Sequence, residues 1–147
     1  MTPAFLVQSQ GMRRLYSRML TPLLERYRLT QLEMDILLFL ANNPERDTAR
    51  DMVELRHLAK SHVSAGVDSL VRRGLVERFF REGNRKVIHL RLLPAAAEPV
   101  AAGREVQRQY GEALLAGFTP EERAVLVGLL DRIGDNVAAA LEGEGRA

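Results

Sequence analysis

The chain of 147 residues contains no cysteine. Disulfides, thiolate metal sites, cysteine nucleophiles and thiol redox sensing are therefore excluded. Histidine is scarce, at positions 57, 62 and 89 only. His57 and His62 do not share a helix face, so they do not make a zinc pair. No P-loop, nucleophile elbow or dinucleotide fingerprint occurs. The stretch SHVSAGVD holds Ser, His and Asp close in sequence, but a triad assembles across a fold rather than along one helix. An enzyme is not expected, nor a metal or other cofactor. No apolar run approaches the roughly 18 residues that span a membrane. The opening residues MTPAFLVQSQGMRRLYSRML lack the basic, apolar and cleavage regions of a signal peptide. The expectation is a cytoplasmic protein of one domain with a real core.

Charge is also scarce in sum, at +2, but it is unevenly placed. Residues 54–91 carry nine Lys or Arg against four acids, while residues 31–53 and 92–147 are net acidic. A localised basic segment is the footprint of a site for a polyanion, or else a solvated charged face.

Helical periodicity dominates the rest. Over residues 5–27, Met12, Leu15, Tyr16, Met19, Leu20, Leu23, Leu24 and Tyr27 recur at three- and four-residue spacing. Pro22 inside this run is expected to kink or divide it. Thr30-Gln31-Leu32-Glu33 has the form of a capping box, followed by Leu32, Ile36, Leu37, Phe39 and Leu40 at core spacing. Asn42-Asn43-Pro44 ends that helix. Thr48 opens a short helix with Ala49, Met52, Val53 and Leu55 inward. A further helix spans 61–73, with Ser61 as its N-cap and Gly74 as terminator. LVERFF at 75–80 and VIHLRLL at 87–93 flank the polar loop Arg81-Glu82-Gly83-Asn84, which reads as a hairpin. Ile88, Leu90 and Leu92 should form its buried face. An Ala-rich helix is expected over 94–115. Thr119-Pro120-Glu121-Glu122 then starts a last helix striped with Leu126, Leu130, Ile133 and Val137.

Helices followed by a hairpin, across 30–93, is the order of a winged helix-turn-helix, so the fold class is mainly α with a small β-hairpin. On a helical projection of 61–73, Val63, Leu70 and Val71 fall within about 60° of Val67 and form a core stripe. The other side holds Ser61, His62, Ala65, Ser69, Arg72 and Arg73, with no large apolar side chain. A protein-interaction module would show aromatic or leucine anchors there. Small polar residues allow close approach to a grooved partner, and the N-terminal part of such a helix meets base edges in the major groove of DNA. Lys60, Ser61 and the free amides at the helix start would hold phosphates. His62 and Ser64 could hydrogen-bond to bases or phosphates, with a cap or packing role equally open for Ser64. Ala65 could touch a thymine methyl. Ser69 and Arg72 would meet the backbone further along. Arg81, Arg85 and Lys86 bracket the hairpin tip, where a basic wing can enter a minor groove.

LTQLEMDILLFLANNP, KSHVSAGVDSLVRRGLVER and NRKVIHLRLL together resemble the MarR-type (multiple-antibiotic-resistance regulator) family of bacterial transcription factors. The resemblance implies a winged helix-turn-helix lobe at 30–93 flanked by dimerisation helices at 1–29 and 94–147. It implies a homodimeric regulator, a repressor, bound to a pseudo-palindromic operator of double-stranded DNA. The family's acidic-Arg-Arg wing run matches Asn84, Arg85 and Lys86, with Arg85 favoured for the minor groove. It also implies release by a small lipophilic or aromatic anion, in a cleft where Arg13, Tyr16 and His57 stand by position.

Overall fold

A computed structural model describes residues 2–143. Helix α1 (Thr2–Tyr27) leads to α2 (Gln31–Asn42), α3 (Ala49–Arg56) and α4 (Lys60–Arg72). Strands β1 (Val76–Arg81) and β2 (Asn84–Leu92) form an antiparallel hairpin. A short 3-10 turn at Pro94–Ala96 opens into α5 (Ala97–Leu114), and α6 (Pro120–Glu142) follows. The chain groups into two compact units, one up to Tyr110 and one from Gly111 onward.

The first unit is arranged around α2. Met34, Ile36, Leu37, Leu38, Phe39 and Leu40 are all buried, more than one apolar face would require. A helix apolar on every side must be covered on every side. Helices α1 and α4 and strand β2 pack against it. From α5, Arg104 donates to the Ala41 carbonyl at 2.7 Å and to Asn42 Oδ1 at 3.1 Å, closing the end of α2. Val63, Val67 and Leu70 of α4 are buried with Met52 of α3, Val76 of β1 and Leu90 of β2.

Local chemistry sets the helix ends. At Thr30 the hydroxyl accepts from the Glu33 amide and the Glu33 carboxylate accepts from the Thr30 amide. The same reciprocal box forms at Thr48–Asp51 and at Thr119–Glu122. Each satisfies two amides that a helix start leaves unpaired. Helix α4 ends in a paired motif: Leu75 N–H donates to the Leu70 carbonyl at 3.0 Å and Gly74 N–H to that of Val71 at 3.1 Å. Gly74 sits at φ +73°, which favours glycine.

Several sequence expectations are corrected. Helix α1 is not divided at Pro22. Pro22 is exposed, so water can serve the carbonyl it leaves unpaired. Helix α4 begins at Lys60 with Ala59 as N-cap, so Ser61 lies inside the first turn and does not cap. Leu55, expected inward on α3, is 47% exposed. Strand β2 is longer than its apolar run suggested and β1 is shifted one residue onward, because Arg81 and Asn84 pair with each other and leave only Glu82-Gly83 as the turn. The hairpin reaches beyond the helices: Leu90 is buried, but Ile88, on the same strand face nearer the tip, is 48% exposed.

Gly66 is explained by packing. A Cβ there would stand 2.7 Å from Ile36 Cδ1 and 3.4 Å from Leu32 Cδ2. The missing side chain lets α4 lie close on α2. Gly66→Leu is expected to destabilise the fold by about 1–3 kcal/mol or more through overpacking. Gly66→Ala, whose methyl crowds only the far end of the Ile36 side chain and meets Leu32 at ordinary contact distance, should change stability by less than about 1 kcal/mol. Urea unfolding followed by circular dichroism checks both.

Candidate nucleic-acid interface

Helices α3 and α4 are joined by a tight turn at His57, which is non-glycine and sits at φ +53°. This left-handed residue supplies the reversal that glycine often provides in such turns. Helix α4 then starts without a side-chain cap. Its first intrahelical bond is from the Val63 amide to the Ala59 carbonyl at 3.1 Å, which leaves the earlier amides for an outside acceptor. Lys60, Ser61, His62, Ser64 and Ala65 are all exposed around this end. Lys60 and Ser64 border a groove of about 370 Å³ between α3 and α4, with Ala49, Arg50, Val53 and Glu54. A helix N-terminus with free amides and a lysine is suited to oxyanions.

The other end of α4 differs from the sequence reading. Ser69 is turned inward and donates to Glu33 Oε2 at 2.8 Å. Arg73 also turns inward. Its guanidinium donates to the carbonyls of Tyr27 and Arg28, both at 2.8 Å, and lies 3.6 Å from Glu33. Both residues therefore hold α4 in place, and Arg72 is the exposed cation of its last turn. Burial alone would raise the Glu33 carboxyl pKa. The Thr30 amide, the Ser69 and Thr30 hydroxyls and the Arg73 charge outweigh it and hold the group below its ordinary value.

Pairing sorts the basic segment into two sets. Arg78 is bonded to Asp68, Arg91 to Glu77, Arg81 to Asp47 and Arg73 to Glu33. Arg56 at the end of α3 and Lys60, Arg72, Arg85 and Lys86 are exposed and make no ion pair among the described residues. Arg81, expected to belong to the DNA-binding wing, is thus already engaged by an acid at 3.0 Å. At the wing, Asn84 Oδ1 accepts from the Lys86 amide at 2.9 Å and orders the tip. The Arg85 guanidinium lies 5.9 Å from the Phe80 ring centre, a loose stacking contact.

The three cleft candidates are not joined by any hydrogen bond or ring contact among the described residues. Tyr16 is half-buried, 5.0 Å from the Tyr110 ring, and its hydroxyl accepts from Gln107 at 3.3 Å. Burial pushes its phenol pKa up. Arg13 and His57 are exposed. Sequence reasoning passed over Asp35, whose Oδ1 is buried without a hydrogen-bond partner. Burial raises its carboxyl pKa against the opposing charge of Arg56. Two residues after the capping Glu33, this acid carried no motif that could have singled it out.

Residues 29–86 match the MarR family profile. No curated protein matches the chain. Among solved structures, the transcriptional regulator PA3341 is 25% identical with a TM-score of 0.80, covering 93% of this chain and 98% of that one. A MarR-family regulator from Listeria monocytogenes, complexed with 26mer DNA, is 15% identical with a TM-score of 0.79, covering 95% and 90%. The S. aureus MepR–DNA complex is 16% identical with a TM-score of 0.73, covering 91% and 95%. Residues 29–86 are thus similar to the MarR family, and the described residues share the fold of these winged-helix transcriptional regulators.

The lowered Glu33 pKa has a definite sign. Its stabilisation is present above the unfolded value of 4.5 and is lost as pH falls through the lower folded value. Glu33→Gln should therefore lower Tm at pH 7 and flatten the acid limb of a plot of Tm against pH. Calorimetry from pH 3 to 7, a range of about four units chosen to bracket ordinary carboxylates, reads this directly.

Proposed function

We propose that this chain is a MarR-type transcriptional repressor that binds a pseudo-palindromic DNA operator as a homodimer. The observation that carries the reading is the sorting of charge. Four unpaired cations stand at the two ends of α4 and at the wing tip, while Arg73, Arg78, Arg81 and Arg91 are each paired with an acid. That pattern fits a helix lying in a major groove between two phosphate rows, with a wing reaching the adjacent minor groove. Lys60, Ser61 and the free amides hold phosphate at one end, and Arg72 at the other. His62 and Ser64 reach bases or phosphates, Ala65 meets a thymine methyl, and Arg85 with Lys86 addresses the minor groove. Ser69 and Arg81 are left out of the contact set because protein groups already engage them.

Apolar faces support the dimer. Helix α6 buries none of its residues, and Val125, Leu130, Ile133 and Val137 are all at least 40% exposed. Phe5, Leu6 and Val7 of α1 are more than half exposed as well. Faces of this kind in a regulator are suited to a second copy of the chain. The reading includes a small lipophilic or aromatic anion as effector. Tyr16 offers it a half-buried ring, Arg13 a free cation, and His57 an imidazole at the helix-turn-helix reversal.

Selection of duplexes from a random pool tests the reading. The expected product is a palindrome with half-sites about 10 base pairs apart, centre to centre. A pool without enrichment, or an asymmetric single site, contradicts it. On the selected duplex, Arg85→Ala should weaken binding and reduce the salt slope by about 1. Unchanged affinity would remove the wing from the interface.

A further inference from the structure

The acid that engages Arg81 does more than neutralise it. Asp47, in the loop between α2 and α3, is 8% exposed. Its carbonyl accepts from the Leu90 amide at 2.7 Å, so this loop pairs with the outer edge of β2. Its carboxylate takes hold of both strands of the hairpin. Oδ1 lies 2.6 Å from His89 Nδ1 on β2, and Oδ2 accepts from Arg81 Nη2 at 3.0 Å at the end of β1. The Phe79 ring fills the space between these groups, 5.4 Å from the His89 ring, with the guanidinium of Arg91 over it at 4.4 Å and that of Arg81 at 5.7 Å. The helical body thus grips the wing three times through a single residue, next to the turn that carries Arg85 and Lys86.

A hairpin of two strands is marginal by itself and depends on its support for a fixed direction. The free cations at the tip find a groove only if that direction is set. Arg81 is long enough to join them, and it is held back by the same carboxylate that holds the wing. Resting on the DNA-binding reading above, we infer that Asp47 is the positioning residue of the wing. It aims the hairpin and withholds Arg81 from phosphate, so that Arg85 and Lys86 alone address the minor groove. Asp47 thereby sets specificity without touching DNA: losing it frees a cation that reads no sequence.

Two variants separate this role from simple support of the fold. Asp47→Asn keeps the size of the side chain and removes the charge. With Arg81 freed, the slope of log affinity against log salt should steepen by about 1. Discrimination between the selected duplex and a random duplex of equal length should fall by about tenfold, the effect of one lost base-pair preference. Arg81→Gln, at an exposed side chain, should leave the slope of the otherwise unaltered protein unchanged, and adding it to Asp47→Asn should abolish the steepening. Asp47→Asn with unchanged slope and discrimination overturns the inference. So does Arg81→Gln lowering the slope by about 1, since Arg81 would then be an ordinary phosphate contact. If the unaltered protein binds duplex DNA with no salt dependence, the DNA-binding reading itself fails, an outcome distinct from either.

Discussion

The guanidinium of Arg73 joins three helices at one point. It donates to the carbonyls of Tyr27, the last residue of α1, and of Arg28 just beyond it, and faces the carboxylate of Glu33 at the start of α2. Ser69, one turn earlier on α4, bonds the same carboxylate. A cation at a helix C-terminus and an anion at a helix N-terminus each favour their position, and here the two meet. Glu33 is nearly fully buried, so removing Arg73 leaves its charge without an opposite charge beside it. The knot fixes how α4 lies on α2, and hence which of its side chains face outward. The placement of Lys60, His62 and Arg72 all follows from it.

The same economy of charge extends along the basic segment. Asp68, Glu77 and Asp47 take up Arg78, Arg91 and Arg81. These pairs are mostly at the surface, where each adds little to stability. Their larger effect is on what remains. Neutralising these arginines leaves free cations at the helix ends and wing tip, spaced apart rather than spread as one cloud. A diffuse basic face would bind any polyanion; separate cations on a rigid frame demand a matching spacing of phosphates.

Much of this was legible in the sequence where the cause is local. The capping boxes at Thr30, Thr48 and Thr119 involve residues three apart, and all three form. The stripe of Val63, Val67 and Leu70 is set by helical period alone and is buried as expected. Failures occur where a distant group decides. Ser69 and Arg73 project outward on a helical wheel, but the wheel does not know that Glu33 lies beside them. Arg81 belongs by composition to the wing's free charge, and only the fold brings Asp47 to it. Ser61 has the chemistry of a cap, yet Ala59 takes the N-cap position two residues earlier. Ile88 alternates correctly with Leu90 but lies beyond the helices that would cover it. Local rules thus locate the elements, and long-range pairing chooses which polar groups remain available to a partner.

The central claim is that adjacent arginines at the end of α4 have opposite duties, Arg72 toward DNA and Arg73 toward the protein. The salt dependence of duplex DNA binding by Arg72→Gln and Arg73→Gln tests it most directly, with thermal unfolding measured on the same samples. Arg72→Gln should reduce the salt slope by about 1 at unchanged Tm, and Arg73→Gln should lower Tm while the slope of the folded protein stays as it was. An equal loss of slope in both variants, with neither destabilised, would contradict it.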